Sequence, residues 1–236
     1  RVWRCVPRRA LASRLAMQSY PDALNKSLLF YRAQRSGDLN ATHNPIPWRT
    51  AACFQSDGAD VGVDLSRGYF DAGDYVKYGQ PAAYSVSVLA WSALEFKDGL
   101  ERTGSLSEVK EAVRWGTDFM LKAATHVNDH CTYYAQVGRG AAKDCDDDAC
   151  KFDHGYWGRP EDYARDYAYA SLRRTYAINS THPGTEIWAS ASAALAAGYK
   201  LLRNEDRIYA AQLLGVAKKL FSCANSASHN ENNLWL

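Results

Sequence analysis

The sequence lacks any apolar run that approaches the ~20 residues a membrane-spanning helix needs. It also lacks a CxxC pair, which argues against a zinc ribbon, and its seven prolines are too few for long proline-rich linkers. Of its 236 residues, 47% are apolar and 23% are charged, as in globular proteins. These features argue against membrane-spanning, zinc-ribbon and disordered classes.

A large basic surface is also missing, although the net charge is +2. Five arginines stand in the first 14 residues, which contain no acid, and this leaves 23 basic against 26 acidic groups in the rest of the chain. A nucleic-acid binder needs a basic face that displaces phosphate counterions, so we expect no nucleic-acid partner. We interpret residues 1–19 as a basic N-terminal segment without fixed structure, and it has no apolar core of the signal-peptide kind.

Cysteines and glycosylation sequons are present, and together they favour an oxidising, secretory route. The three Asn-x-Ser/Thr sequons begin at Asn25, Asn40 and Asn179. Six cysteines occur, and the spacing of Cys145 and Cys150, with Cys131 upstream, would suit a loop-closing disulfide. We therefore predict a secreted protein.

Apolar periodicity predicts five amphipathic helices joined by long loops. We place these helices at about residues 22–36, 82–97, 105–121, 185–202 and 205–223. Gly37 is expected to end the first helix, and Ser105 with Glu108 predicts a capping box at the start of the third. The loops at about residues 37–80 and 125–165 are long for a compact domain, and such loops are usually functional. The sequence thus predicts a helical scaffold with a functional site built from these two loops.

Residues 68–79 read GYFDAGDYVKYG and contain two carboxylates, Asp71 and Asp74, around a small-residue turn. Alanine and glycine at the turn let the backbone bend sharply, so that both acids can point into one cavity. Tyr69 and Tyr75 flank the turn, and aromatic rings beside acids suit a sugar ring stacked over carboxylates. A plain surface turn or a calcium loop remains an alternative from these residues alone.

A second segment, residues 153–162, combines stacking and hydrogen-bonding groups. Trp157 can supply a flat apolar face, while His154 and Arg159 can donate hydrogen bonds to hydroxyl groups. The two acids at residues 161–162 can accept hydrogen bonds from hydroxyl groups. This mixture suits a neutral polyol polymer, and the alternative is a buried tryptophan with an Arg–Glu pair nearby.

Taken together, these motifs resemble glycoside hydrolase family 9, the endoglucanases that cut β-1,4-glucan. The resemblance starts from residues 68–79 and continues through segments at residues 24–37, 46–49, 58–65, 136–138, 154–162, 183–185 and 193–197. It covers about residues 20–223, which we therefore assign to the N-terminal part of the catalytic domain. Residues 224–236 are expected to form a divergent tail that leaves the family pattern.

The resemblance implies an all-α fold, an (α/α)6 barrel of the six-hairpin type, here incomplete with about half of its helices. It implies hydrolysis of internal β-1,4-glucosidic bonds of cellulose or related glucans with inversion, in which a base activates water and an acid protonates the leaving oxygen. Asp74 matches the family's catalytic base, and Asp71 matches the partner that orients the water. The cleft stretch of the family matches His154, Trp157 and Arg159.

The family's general acid is a glutamate near the far end of the catalytic domain, and no glutamate of this chain matches it. Glu231 lies near the end of the chain, but its neighbours do not match the acid's motif. We therefore expect the chain by itself to be inactive or nearly so, because positioned proton transfer contributes ~10²–10⁴-fold. One alternative is a non-catalytic glucan-binding remnant. A helical interaction protein without carbohydrate function is another, but it would need neither motif.

The mechanism that the resemblance implies requires no cofactor. Some members of the family bind calcium where this chain has Glu186 and Ser190, and the serine carries no charge. Calcium prefers several oxygen ligands, often charged, so at most a weak calcium site is expected. The acidic run at residues 144–148 is interpreted as a solvated loop.

Overall fold

The computed structural model describes residues 19–39, 44–50, 57–140, 152–167 and 173–226. These ranges contain seven α-helices: α1 (Tyr20–Ala33), α2 (Gly79–Glu95), α3 (Lys97–Arg102), α4 (Leu106–Ala123), α5 (Tyr163–Asp166), α6 (Thr185–Leu202) and α7 (Arg207–Ser226). None of the helices in these ranges is both long and apolar enough to cross a membrane. The basic segment at 1–18 and residues 227–236 of the tail lie outside the described residues.

The long helices pack through small residues. Helix α6 lies between α7 and α2, and α2 also packs against α4. A side-chain carbon added to Gly116 of α4 would lie 2.4 Å from Val86 Cγ2 of α2, so glycine permits this close approach. The core between these helices is built from large buried side chains: Val113, Phe119, Met120, Ile187, Trp188 and Leu195.

A small antiparallel sheet, which the all-α prediction did not contain, joins the two long loops. Its strands are β1 (Lys77–Tyr78), β2 (Tyr133–Val137) and β3 (Thr175–Ile178), in the order β1-β2-β3. The register pairs Lys77 with Val137 at one end and Tyr133 with Ile178 at the other. All five residues of β2 are buried, so its sequence shows none of the alternation that marks a half-exposed strand.

Helix α1 ends at Ala33 rather than near residue 36, because the chain then pairs with a distant segment. The Ser36 N–H donates to Gly68 O (2.9 Å), and the Phe70 N–H donates to Gln34 O (2.9 Å). These two long-range bonds compete with continuation of the helix, and they fix the backbone just before Asp71. The predicted end at Gly37 was therefore wrong by one helical turn.

The predicted capping box at the start of α4 does not form. The Ser105 side chain makes no capping bond, and its hydroxyl instead donates to Asn25 Oδ1 in α1 (2.7 Å). Glu108 also turns to α1, where Arg32 Nη2 donates to Glu108 Oε2 (2.6 Å). Contacts between α1 and α4 thus use the two side chains that the local motif would have used.

One disulfide, Cys131–Cys223, lies within the described residues and joins the loop before β2 to the last turns of α7. Its cysteines are 92 positions apart, with Cα atoms separated by 5.8 Å. Cys131 is therefore not available for a loop-closing disulfide with Cys145 or Cys150. Cys145 and Cys150 lie outside the described residues.

Candidate active site

The two predicted catalytic carboxylates lie on a tight turn between the segment paired with α1 and strand β1. The Asp71 N–H donates to Val76 O (3.0 Å), and the Asp74 N–H donates to Asp71 O (2.9 Å). The bend falls on Ala72, which takes a left-handed conformation with φ +49°. Gln34 Nε2 supports it by donating to Ala72 O (2.6 Å). Strained non-glycine backbone of this kind costs ~1–3 kcal/mol and often marks functional sites.

Both carboxylates are half-buried, and their charges act on one another. Burial, together with the negative charge of Asp74, raises the pKa of Asp71 above its ordinary value. Burial and the same two carboxylates also raise the pKa of the Tyr78 phenol to about 12. The turn is therefore a region of concentrated negative charge, which favours binding of protons and hydrogen-bond donors.

A cavity of about 130 Å³ opens beside Asp71, between α1, the turn and α2, and its lining includes the aromatic side chains Phe30, Tyr31, Tyr69, Phe70 and Tyr78. Its lining includes Tyr69, one of the predicted substrate-binding residues. The Tyr69 hydroxyl is already engaged, since it donates to Ala112 O of α4 (2.7 Å), and burial raises its pKa. Tyr69 therefore offers the cavity its ring, while its hydroxyl secures the turn to the scaffold.

Tyr75 connects the turn that carries Asp71 and Asp74, here called the carboxylate turn, to the second predicted segment, residues 153–162. Its ring contacts those of Phe70, Tyr156 and Tyr163, with centroids 5.2, 5.7 and 6.0 Å away. Its hydroxyl donates to Gly158 O. The two predicted segments are therefore in direct contact through Tyr75.

In the second segment Trp157 is 92% exposed, and it directly precedes Gly158, whose carbonyl oxygen accepts the Tyr75 hydrogen bond. Arg159 is exposed as well, and its Nε donates to Asp162 Oδ2 (2.8 Å). The alternative with a buried tryptophan was therefore wrong. The side chain of His154 lies outside the described part of the structure.

Glu161 belongs to the scaffold and not to the open surface. Its Oε1 accepts hydrogen bonds from Arg49 Nε (2.8 Å) and from the Thr50 N–H (3.0 Å). Burial raises the pKa of Glu161, but the hydrogen bonds from Arg49 and from the Thr50 N–H, together with the charge of Arg49, hold that pKa below its ordinary value. The expectation that Glu161 accepts hydrogen bonds from a substrate was therefore wrong.

A buried network of four charges supports the turn from behind. Arg173 Nε donates to Asp57 Oδ1 (2.7 Å), and its Nη1 donates to Asp153 Oδ1 (2.9 Å). Lys77 Nζ lies 2.6 Å from Asp57 Oδ2. The Arg173 guanidinium also donates to Tyr75 O, next to Asp74 in the chain. This network holds the backbone of the turn, the start of β1 and residues 152–155 together.

Within the network, burial and ion pairing shift the pKa values of the charged groups in opposite directions. Burial lowers the pKa of Lys77 to about 8, although Asp57 favours its charged form. Burial alone would raise the pKa of Asp57, but Arg173 and Lys77 together hold it below its ordinary value. Removal of one member of such a network leaves an unpaired buried charge, which is strongly destabilising.

This network could not be predicted from the sequence, because its members are far apart in the chain. Arg173 is 116 positions from Asp57 and follows no recognisable motif. One usable signal was Gly138, which has φ +89° and whose added side-chain carbon would lie 2.4 Å from Arg173 Nη1. A glycine at a strand often marks a site where another group approaches the backbone closely, and Gly138 directly follows β2.

The proposed calcium ligands do not fit a strong site. Ser190 Oγ donates to Ile187 O within its own helix (3.1 Å), which leaves Glu186 as the one charged ligand of the pair. In the described ranges, no three His, Cys, Asp or Glu side chains cluster as a metal site requires. The acidic run at residues 144–148 falls outside those ranges.

Known proteins resemble this chain over most of its length. Endoglucanase 16 of Arabidopsis thaliana is 44% identical over 208 residues, which make up 88% of this chain and 38% of that protein. Endoglucanase A of Bacillus pumilus is 41% identical over 211 residues, 89% of this chain and 29% of that protein. The chain thus spans well under half the length of these two relatives.

Solved structures resemble it too. The endoglucanase of the termite Nasutitermes takasagoensis matches with a TM-score of 0.77 and 40% identity, over 90% of this chain and 44% of that one. A cellulase of C. cellulolyticum in complex with cellobiose matches with a TM-score of 0.77 and 35% identity, over 92% of this chain and 47% of that one. The predicted (α/α)6 fold class is confirmed, and the helices described here form an incomplete barrel.

The match to a whole family agrees with these individual similarities. The sequence model of Glycosyl hydrolase family 9 matches residues 20–234, which is most of the chain. It starts at the first residue of α1 and extends past Cys223 into the segment that was expected to diverge. The chain belongs to glycosyl hydrolase family 9.

Proposed function

We propose that the protein hydrolyses internal β-1,4-glucosidic bonds of cellulose or a related glucan, with inversion at the anomeric carbon. The observation that carries this proposal is the junction at Tyr75, where the carboxylate turn meets the surface that exposes Trp157. A hydrolase needs acids and a sugar platform side by side, and these elements supply both. Relatives named endoglucanase and a similar structure with bound cellobiose support the choice of a β-1,4-glucan.

Asp74 acts as the general base that takes a proton from the attacking water, and Asp71 accepts a hydrogen bond from the same water. Burial and the charge of Asp74 raise the pKa of Asp71, and carboxyl groups perturbed in this way are common in active sites. An inverting enzyme places its base ~6.5–9.5 Å from its acid to admit the water. No cofactor is required, since carboxyl groups make both proton transfers.

Trp157 stacks on a glucose ring, while Arg159 and His154 donate hydrogen bonds to its hydroxyl groups. Tyr75 holds this platform at a fixed position relative to the turn through its bond to Gly158 O. Tyr69 contributes the ring that borders the cavity beside Asp71. An exposed ring suits sugars, because it buries apolar C–H faces while hydroxyl groups stay hydrogen-bonded.

No glutamate of this chain is assigned as the general acid. We therefore expect the 236-residue chain alone to bind cello-oligosaccharides but to hydrolyse them poorly. The Cys131–Cys223 disulfide supports a further proposal, that the protein is secreted, because such bonds persist in oxidising compartments.

The role of Asp74 is tested in a chimera that supplies the remaining part of a catalytic domain. Residues 20–226 replace the matching segment of Endoglucanase 16 of Arabidopsis thaliana, and hydrolysis of cellopentaose is followed with NMR detection of the product anomer. We expect inversion in the parent chimera. Asp74→Asn should lower kcat by ~10²–10⁴-fold while cellotetraose affinity changes little.

Asp98→Asn is the matched control, because Asp98 is an exposed carboxylate of α3. It should leave kcat and KM unchanged. If the parent chimera is folded and active and its Asp74→Asn variant keeps most of the parent kcat, the assignment of Asp74 as the base is overturned.

A further inference from the structure

We propose that Asn179 is a glycosylation site that carries an N-linked oligosaccharide. Asn179 begins an Asn-Ser-Thr sequon in the turn between β3 and α6. Ser180 and Thr181 are exposed, and Asn179 itself is half-buried. Sequons in exposed turns are the usual acceptors for this modification.

The Asn179 side chain is held in a geometry that leaves its amide nitrogen available. Its Oδ1 accepts hydrogen bonds from the Thr181 N–H (2.9 Å), the Thr181 hydroxyl (2.7 Å) and the His182 N–H (2.9 Å). Among the described residues, we find no acceptor for Asn179 Nδ2. A glycosylated amide keeps its carbonyl oxygen, so all three bonds that form the turn persist after modification.

The transfer needs an activated sugar donor, an oligosaccharide linked through its anomeric carbon to a lipid pyrophosphate. A bond forms between Asn179 Nδ2 and that carbon, and the carbon–oxygen bond to the pyrophosphate breaks. The lipid pyrophosphate leaves with the bonding electron pair. Nδ2 gives up one of its two protons to a base of the transferase, so no oxidation or reduction occurs.

The position of Asn179 keeps an oligosaccharide away from the carboxylate turn. The turn leads directly into β1, which pairs with Val137, and Val137 pairs in turn with Thr175 of β3. Asn179 follows the opposite end of β3, about 13 Å from Thr175 at ~3.3 Å per residue. A sugar at this end of the sheet can therefore extend into solvent without blocking substrate.

The surroundings of Asn179 are consistent with an oxidising route. The Ser180 N–H donates to His130 O (2.8 Å), and the next residue is Cys131 of the disulfide. Sequon and disulfide therefore share one corner of the molecule. Secretory compartments perform both disulfide formation and N-linked glycosylation, so one route can produce both features.

The sequon at Asn25 has different surroundings. Asn25 lies within α1, and its Oδ1 accepts the hydrogen bond from Ser105 Oγ that joins α1 to α4. The sequon hydroxyl, Ser27 Oγ, donates to Leu24 O and not to Asn25. We therefore assign the oligosaccharide to Asn179 rather than Asn25. The sequon at Asn40 lies outside the described residues.

The test uses the full chain, fused to a secretion signal and produced in a eukaryotic cell. Trypsin places the three sequons in separate peptides, and that of Asn179 spans residues 175–200. We expect this peptide to carry a glycan, and a peptide N-glycosidase should release it and leave aspartate at position 179. Asn179→Gln should lower the intact mass of the secreted protein by one glycan.

Two substitutions of Thr181 distinguish loss of the sequon from loss of folding. Thr181→Ser keeps a hydroxyl and should keep the glycan, whereas Thr181→Val should lose it while the protein is still secreted. Recovery of peptide 175–200 with unmodified asparagine from secreted protein would overturn the proposal. Because the signal is supplied and no hydrolysis is measured, this outcome is independent of the proposed activity and of natural secretion.

Discussion

Asp71 and Asp74 lie three residues apart, and the structure gives each a different set of backbone contacts. Asp71 is fixed through its N–H to Val76 O, and it lines the aromatic cavity beside α1. Burial and the charge of Asp74 raise its pKa. The folded environment disfavours the charged form of Asp71, and the raised pKa reflects this. Ionised Asp71 therefore destabilises the folded state at pH values above its folded pKa.

The coupling between the two carboxylates can be measured directly. In Asp74→Asn we expect the pKa of Asp71 to fall towards its ordinary value, because the negative charge of Asp74 that helps to raise it is removed. It should stay somewhat raised, since burial remains. Carboxyl NMR titration of Asp71 in the original and variant proteins gives the shift, and Asp98→Asn should leave it unchanged. An unchanged Asp71 pKa in Asp74→Asn would show that the carboxylates do not interact.

The stability effect of Asp71 has a defined sign. Below the unfolded pKa both states are protonated, and Asp71 costs nothing. Above the folded pKa both states are ionised, and the folded state carries the full cost of burial beside Asp74. Asp71→Asn should therefore raise Tm at neutral pH and change it little in strong acid.

At the scale of elements, the crossing of α2 and α4 positions the carboxylate turn. Strand β1 runs directly into α2, while the Tyr69 hydroxyl anchors the other side of the turn to Ala112 of α4. Gly116 allows the two helices to approach, because any side chain there would meet Val86. A small change in this crossing would therefore move the turn.

A methyl group at Gly116 tests this crossing. Gly116→Ala should destabilise the protein by ~1–3 kcal/mol through overpacking. Gly215→Ala in α7 is the matched control, since nothing lies within 4 Å of its added carbon and alanine favours helix. It should stabilise by ~0.5–1 kcal/mol. Urea unfolding measures both, and equal effects of the two substitutions would contradict close packing at Gly116.

Elements that depend on local sequence could be predicted, and those set by distant partners could not. Helix α6 has the predicted bounds, Thr185–Leu202, because a long run of small and apolar residues defines it locally. The end of α1 was missed, because the bonds that end it come from residues 68–70. The sheet was missed for a related reason, since the buried strand β2 has no alternation.

The candidate site divides in the same way. Asp71, Asp74 and Trp157 stand in compact motifs, and the structure brings their segments together. The charges that hold the turn, Arg173 and Asp57, belong to no motif and meet only in the folded chain. Sequence therefore indicates which groups can do chemistry, while the packing that fixes their positions needs the three-dimensional structure.

At the scale of the whole molecule, the Cys131–Cys223 disulfide ties α7 to the sheet. Helix α7 otherwise packs mainly on α6. The bond closes a loop that contains β3 and α6. It thereby restricts the unfolded chain and should contribute substantially to stability.

Loss of the disulfide, whose cysteines are 92 positions apart, should lower the free energy of unfolding by ~4.6 kcal/mol in the chain-entropy model. Cys131→Ser, Cys223→Ser and the double variant should be destabilised by nearly equal amounts, because each removes the same bond. Urea unfolding under non-reducing conditions provides the comparison. Additive effects of the two single substitutions would indicate that the cysteines act separately.

We propose that the carboxylate turn and the segment around Trp157 together form one glucan-binding surface. The most direct test is calorimetric titration of the 236-residue chain with cellotetraose. We expect measurable binding, weakened about tenfold (~1.4 kcal/mol) in Trp157→Ala. It should be unchanged in Trp91→Ala, since Trp91 is 65% exposed on α2 and belongs to neither segment. Equal affinity in the original chain and Trp157→Ala, or no binding by the folded original chain, would contradict the account.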